Sequence, residues 1–148
     1  MSGRRILTGL GEDGKSAILI DEPLDHSAGG AAMVWAAPAL PIDNALPADA
    51  PFPVFSFDQM HAGGASFMVM EYPAEMGEFW HATDTVECVA MLSGEIVFMT
   101  ETGEVTLRAG DMLVDRGIVH CWRNDTGQPA RAAIVMMPAH PVGKGRTV

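Results

Sequence analysis

Short apolar segments separated by turn residues run through the whole sequence, and this pattern restricts the chain to a β-rich fold. The sixteen glycines and ten prolines are spread along the chain, and a helical period of apolar residues is hard to find anywhere. Ten segments have the length and composition of strands. Many short strands with frequent turns are typical of a sandwich or barrel, so we predict an all-β fold. The predicted strands are Arg4–Thr8, Ser16–Ile20, Ala31–Ala37, Ser66–Tyr72, Thr85–Leu92, Glu95–Thr100, Glu104–Leu107, Met112–Val114, Val119–Arg123 and Arg131–Met137.

The length of 148 residues predicts one domain that buries a full core. A proline-rich stretch without periodicity interrupts the strands and predicts a long extended loop. We therefore divide a single domain, residues 1–148, into N-terminal strands (1–37), a proline-rich loop (38–53), a barrel core (54–138) and a C-terminal tail (139–148).

The distribution of charge excludes several classes of partner. The net charge is −10, and the chain has fourteen acidic residues but no lysine or arginine between Lys15 and Arg108. Such a surface repels phosphate backbones and anionic lipids, so we expect no nucleic-acid and no membrane partner. The N-terminus lacks the apolar region of a secretion signal and no stretch has the length of a membrane span, which predicts a cytoplasmic protein.

The two cysteines, Cys88 and Cys121, both lie in apolar segments and lack metal-binding spacing. We predict two reduced, buried thiols. A disulfide between them remains an alternative if their strands are neighbours.

Strand alternation brings a set of possible metal ligands together. In an extended segment, His81, Thr83, Thr85 and Glu87 share one face, and His120 shares a face with Trp122 and Asn124. Two imidazoles and one carboxylate from neighbouring strands suit iron, manganese, zinc, nickel or cobalt. A pair of core histidines held by hydrogen bonds is the structural alternative.

The spacing of these residues resembles the two motifs of the cupin superfamily. In the first motif (H-x-H, three or four residues, E, six residues, G), His81, Glu87 and Gly94 match, and Thr83 replaces the second histidine. In the second motif, Gly110 is followed by a turn at Arg116-Gly117 and by the segment from His120 to Asn124. The resemblance covers about a third of the chain and implies a small single-domain jelly-roll barrel, a double-stranded β-helix.

The resemblance also implies a function for the matched positions. His81, Glu87 and His120 stand where cupins hold a divalent metal, and Glu87 and His120 are the candidate catalytic residues. No organic cofactor is expected. Because a hydroxyl is a poor replacement for imidazole, the threonine at position 83 argues against a four-ligand site.

Five further residues are candidates for substrate binding. Trp122 shares the face of His120, and Arg116 precedes it in a turn where a guanidinium can hold a substrate carboxylate. Aromatic and methionine side chains suit a planar or partly apolar ligand. The candidate set is Thr83, Trp122, Arg116, Tyr72 and Met91.

Three functions remain open on the sequence. The first is a metal-dependent enzyme that decarboxylates, isomerises or oxygenates an aromatic, polyketide-like or keto-acid substrate. The second is a metal-free acid–base cyclase or dehydratase that uses Glu87 and a histidine. The third is a small-molecule binding protein without turnover. We expect a homodimer, in which the N-terminal strands extend a sheet or exchange between subunits.

Overall fold

The computed structural model describes residues 3–25, 30–47 and 55–148. This part of the chain has ten strands and one short helix. The strands are β1 (Arg4–Leu10), β2 (Ser16–Pro23), β3 (Ala31–Ala36), β4 (Ser66–Tyr72), β5 (Thr85–Ser93), β6 (Glu95–Thr100), β7 (Gly103–Arg108), β8 (Met112–Asp115), β9 (His120–Arg123) and β10 (Ala130–Pro138), and the helix is α1 (Phe57–Met60).

The predicted all-β fold is confirmed, because each of the ten predicted strands overlaps an observed one. The ends differ by up to three residues, in most strands because hydrogen bonding extends past the apolar runs, whereas β3 and β9 are each one residue shorter than predicted. Residues 38–47 contain neither strand nor helix, in accord with the predicted loop. Residues 48–54 and His26 lie outside the described residues. No helix in the described ranges is long and apolar enough to cross a membrane.

Eight strands form two antiparallel sheets whose inner faces share one core. The larger sheet has the order β3-β4-β10-β5-β8 and the smaller one has the order β7-β6-β9. Ser93 and Gly94 carry the chain from β5 of the larger sheet to β6 of the smaller one. A Cβ on Gly94 would lie 2.7 Å from the carbonyl oxygen of Pro129, so this crossing requires glycine. Both sheets contribute side chains to the core cluster, including Met68, Val89 and Ile134 from the first, and Ile96, Phe98 and Trp122 from the second.

The N-terminal strands behave differently from the prediction. Only β3 extends a barrel sheet, whereas β1 and β2 pair with each other as a separate two-stranded sheet. Ile6, Leu10 and Ile18 of this hairpin are exposed.

The cysteine prediction is half wrong. Both thiols are free, and Cys121 is buried, but Cys88 is exposed. Cys88 alternates with the inward residues Glu87 and Val89 along β5, so its side chain faces away from the core. The apolar character of its neighbours suggested burial because the outward positions of this strand are apolar as well.

Candidate functional site

The inner face of β5 and β8 holds the acidic side of the candidate site. Glu87 pairs in register with Asp115 across the two strands, so both side chains point to the same side of the sheet. Both are almost completely buried, at 5% and 2% exposure. The buried hydroxyls of Thr83 and Thr85 lie next to Glu87, as the alternation of the segment predicts.

An isolated β-bridge between His81 and His120 joins the two motifs. The backbone amide of His81 donates to the carbonyl of His120 at 3.0 Å, and the reverse bond measures 2.9 Å. The two imidazole centroids are 4.4 Å apart. The predicted convergence of the two histidines from separate segments is therefore present.

His120 is held in one tautomer. Its Nδ1 donates to the carbonyl oxygen of Ile118 at 3.0 Å and lies 2.8 Å from Oδ2 of Asp115. Because these neighbours are acceptors, Nδ1 carries a proton and the neutral ring presents a lone pair at Nε2. That Nε2 atom is buried and has no hydrogen-bond partner among the described residues. Burial opposes the charged ring, but the contacts with Asp115 and Ile118 outweigh it and raise the pKa of His120.

His81 follows the same local pattern. Its Nδ1 donates to the carbonyl oxygen of Phe79, also two residues earlier, at 3.1 Å. The ring is half-buried and stacks on Phe79 at 4.9 Å between centroids, with Phe57 on another side at 5.7 Å. Burial, and to a lesser extent the proximity of His120, lowers the pKa of His81 despite the bond to Phe79. A neutral ring with a lone pair on Nε2 follows here too.

Glu87 is oriented by threonine hydroxyls. Oγ1 of Thr83 donates to Oε1 of Glu87 at 3.2 Å and lies 2.7 Å from Oγ1 of Thr85. Burial raises the pKa of Glu87, and the carboxylate of Asp115 adds to the effect, while the threonine hydroxyls and His120 act in the opposite direction. The residue that replaces the second histidine of the motif therefore positions the glutamate.

Asp115 is a residue of the site that the sequence pattern did not predict. Among the described residues, possible ligand atoms of Glu87, Asp115 and His120 all lie within 4.8 Å of one another, and His81 is not part of this group. Asp115 ends the strand MLVD, where it shares parity with the inward-facing Leu113. A carboxylate at an inward position was the available signal, but the adjacent turn made it resemble a surface acid.

The predicted substrate-binding residues divide into two groups. Thr83, Trp122, Tyr72 and Met91 are buried in the barrel, and the ring of Trp122 lies 5.2 Å from Tyr72 and 6.3 Å from His120. Burial, with the charge of Glu87 as a further cause, raises the pKa of Tyr72. Arg116 is exposed, and within the described ranges no hydrogen bond or ion pair joins it to another residue.

The other polar residues near the two motifs form hydrogen bonds with backbone groups. Asn124 is buried and its amide donates to the carbonyls of Pro73 and Gln128. Asp84 accepts the amide of Arg146 at 2.9 Å, and Ala82 exchanges hydrogen bonds with Thr147. The C-terminal tail thus fastens the segment that carries Thr83. His140 lies exposed in that tail, and His61 accepts from the amide of Asp84.

Comparison with known proteins identifies the barrel segment. Residues 66–137 match the family model described as a cupin domain. The chain is 39% identical over 85 residues to the oryzines biosynthesis cluster protein J of Aspergillus oryzae. This alignment covers 56% of this chain and 48% of that protein. The chain is also 29% identical over 82 residues to the phomopsin biosynthesis cluster protein C' of Diaporthe leptostromiformis, with 54% and 43% covered. This chain spans about half the length of these curated relatives.

A solved structure agrees along nearly the whole chain. The chain superposes on the crystal structure of ethanolamine utilization protein q from Salmonella typhimurium LT2 with a TM-score of 0.50 and 14% sequence identity. The match covers 95% of this chain and 99% of that protein. At this identity the likeness shows the fold alone.

Proposed function

Because this chain belongs to the cupin superfamily, we propose that it is an enzyme that acts on a small molecule inside the barrel with the help of a divalent metal. One observation carries the proposal. The buried Nε2 of His120 has no protein partner in the described residues, while Nδ1 is occupied. A buried, unpaired ring nitrogen is costly unless a metal or a substrate proton satisfies it.

The donor types suit a divalent metal. Of the three proposed ligands, Glu87 and His120 belong to the group of mutually close ligand atoms, and His81 is added because its ring lies 4.4 Å from that of His120. His81 and His120 offer Nε2 lone pairs, and Glu87 offers a carboxylate oxygen, which together suit iron, manganese, zinc, nickel or cobalt. Asp115 is better suited to orient His120, because Oδ2 faces Nδ1 of that ring and Oδ1 accepts the amide of Ile118 at 3.3 Å. A carboxylate behind a ligating histidine is a frequent second partner of metal sites. Thr83 serves as a hydroxyl donor to Glu87 and not as a ligand.

The surrounding side chains support chemistry on a carbonyl-containing substrate. A bound metal would supply Lewis-acid polarisation of a carbonyl or enolate. When Glu87 does not bind the metal, the carboxylate oxygen that Thr83 and Thr85 leave free can accept or return a proton, and burial raises the pKa of this group. Trp122, Tyr72 and Met91 form an apolar wall that keeps water from the reacting atoms. Decarboxylation, isomerisation or oxygenation of an aromatic, polyketide-like or keto-acid substrate fits this arrangement.

The relatives favour a small-molecule substrate. The similar fungal proteins are named for the oryzines and phomopsin biosynthesis clusters. From these relatives we take only the expectation that the substrate of this protein is a small molecule of a biosynthetic pathway. Arg116, which is exposed and follows Asp115 in the chain, is a candidate anchor for a substrate carboxylate.

A metal-free acid–base mechanism is the second candidate. The contact between Asp115 and His120 and the raised pKa of Glu87 provide an acid and a base at one place without a metal. A binding protein without turnover would use the same buried side chains, Trp122, Tyr72 and Met91.

Metal analysis separates these candidates. The protein is purified without chelator and analysed by mass spectrometry for bound metals, together with H120A and, as a control, H140A. We expect close to one equivalent of metal in the wild type and in H140A, and less than about a tenth in H120A. Equal, substoichiometric metal in all three proteins would exclude the metal-dependent function and leave the acid–base mechanism.

A further inference from the structure

A cavity of about 630 Å³ lies where the hairpin of β1 and β2 meets the end of β3 and the chain that follows it. It is bordered by residues 6–8 of β1, by residues 35–38 at the end of β3, and by residues between 42 and 47 and between 59 and 66. Cavities of roughly 300–1,000 Å³ are the usual size of small-molecule sites in proteins. We call this space the hairpin cavity.

The hairpin cavity is distinct from the candidate metal site. None of the four titratable residues of that site borders it in the described part of the chain. Helix α1 contributes to both places, because Gln59 borders the hairpin cavity and Phe57 contacts the ring of His81 at 5.7 Å between centroids. A molecule bound in the hairpin cavity would therefore occupy a site of its own.

The walls of the hairpin cavity are mainly apolar, and several of them are open to water. Ile6 is 45% exposed, Ile42 38% and Leu46 46%. These three side chains and Trp35 line the same cavity. Because apolar surface is unfavourable in water, a ligand that covers these side chains gains free energy from their burial. A concave apolar surface with a few polar groups is the usual form of a ligand site.

Three polar groups in these walls have no protein partner. Ser66 is more than nine-tenths buried, at 8% exposure, and its hydroxyl has no hydrogen bond within the described residues. The Oε1 atom of Gln59 is buried and is equally without a partner there. The same holds for the indole nitrogen of Trp35. Since buried polar groups without hydrogen bonds are costly, a ligand that supplies these bonds is stabilised.

The charge of the lining limits the chemistry of the ligand. Asp43 is the one charged residue in the described lining, and it is exposed and already accepts the amide of Ala45 at 2.9 Å. The sequence has no lysine or arginine between Lys15 and Arg108, so this stretch supplies no cation for an anionic ligand. The buried polar groups of the walls are neutral. We propose that the hairpin cavity binds an uncharged, mainly apolar small molecule that carries a hydroxyl or carbonyl group.

The indole N–H signals of the three tryptophans test this proposal in one NMR titration. Trp35 borders the hairpin cavity, and Trp122 lies in the barrel with its ring 6.3 Å from that of His120. The variants W35F and W80F assign the signals, and the probe is 2-naphthol. We expect 2-naphthol to shift the Trp35 signal saturably with a sub-millimolar Kd and to leave the Trp122 signal unchanged.

The anion 2-naphthoate, which has the same rings, is the matched control ligand. Its Kd should be at least about tenfold weaker, because the carboxylate would lose its hydration without gaining a cation. A Trp35 signal that does not shift saturably, a shift confined to Trp122, or equal Kd values for the two probes would overturn the proposal.

Matched variants locate the bound probe independently. Ala62 borders the hairpin cavity and Ala109 lies in the turn between β7 and β8, and both are exposed. A62W should fill part of the cavity and weaken the Kd of 2-naphthol, measured by titration calorimetry, at least about tenfold. A109W should keep the wild-type Kd. Equal Kd values in A62W and A109W would mean that 2-naphthol binds elsewhere, which would contradict the proposal.

Discussion

The burial of Glu87 makes the stability of the folded protein depend on pH. Burial raises the pKa of Glu87 above the unfolded value, so the folded state holds the proton more tightly. Stability from this group is therefore present below the unfolded pKa and is lost as pH rises through the folded pKa. In metal-free protein, E87Q removes this loss, and the free energy of unfolding of E87Q relative to wild type should increase from pH 4 to pH 8. Urea denaturation at each pH measures it.

A difference in the free energy of unfolding between E87Q and wild type that stays constant from pH 4 to pH 8 would contradict this expectation. T83S retains the hydroxyl that donates to Glu87 and should keep the wild-type pH profile, which makes it the matched control.

Gly117 is a second position at which the local backbone requires a particular residue, in this case glycine. Its φ is +75°, and a Cβ there would lie 2.7 Å from the carbonyl oxygen of Thr83. G117A should lower the free energy of unfolding by roughly 2–4 kcal/mol, from the left-handed backbone and from the displacement of the first motif. Gly127 has a similar φ of +71° with nothing within 4 Å of a Cβ, so G127A isolates the backbone term. Equal losses in the two variants, measured by urea denaturation, would mean that the contact with Thr83 is unimportant.

At the level of single residues, alternation alone predicted which side chains of the two motifs point inward. The inward positions of His120, Thr83 and Glu87 follow from period-two patterning. Asp115 was not predicted as a site residue because its role depends on the pairing of β8 with β5. The sequence contains no signal for which strand lies beside β8. The same limit explains Cys88, whose apolar neighbours do not reveal which side of the sheet is covered.

Among the elements, the hairpin of β1 and β2 is the least supported by the barrel. It forms its own sheet, and Ile6, Leu10 and Ile18 are exposed. An isolated two-stranded hairpin is marginally stable in water. Hydrogen exchange should therefore show opening of the hairpin amides at a free energy at least about 3 kcal/mol below that of β5 and β10.

The central strands provide the internal reference for this measurement, because β5 and β10 are paired on both sides. Hairpin amides protected as strongly as those of β5 would indicate that another surface covers the hairpin. The segment pattern predicted that β1 and β2 exist, but not that they leave the barrel sheet, since both arrangements satisfy the same alternation.

For the whole molecule, the net charge opposes the compact state. A charge of −10 repels itself more strongly in the folded chain than in the expanded one. Added salt screens this repulsion, because the Debye length falls from about 30 Å at 0.01 M to about 8 Å at 0.15 M. The free energy of unfolding, measured by urea denaturation, should therefore increase between these ionic strengths. A free energy of unfolding that decreases with salt would instead point to attractive charge pairs that stabilise the fold.

The sequence by itself determined the all-β class, the ten strands, the two spaced motifs and the inward side of each motif strand, because these depend on local alternation and turn chemistry. Only the tertiary structure decided that Asp115 meets His120, that Thr83 supports Glu87 and that β1 and β2 form a separate sheet. These features depend on which strands lie side by side and in which register. Register is set by contacts between residues far apart in the chain, and local patterning carries no record of them.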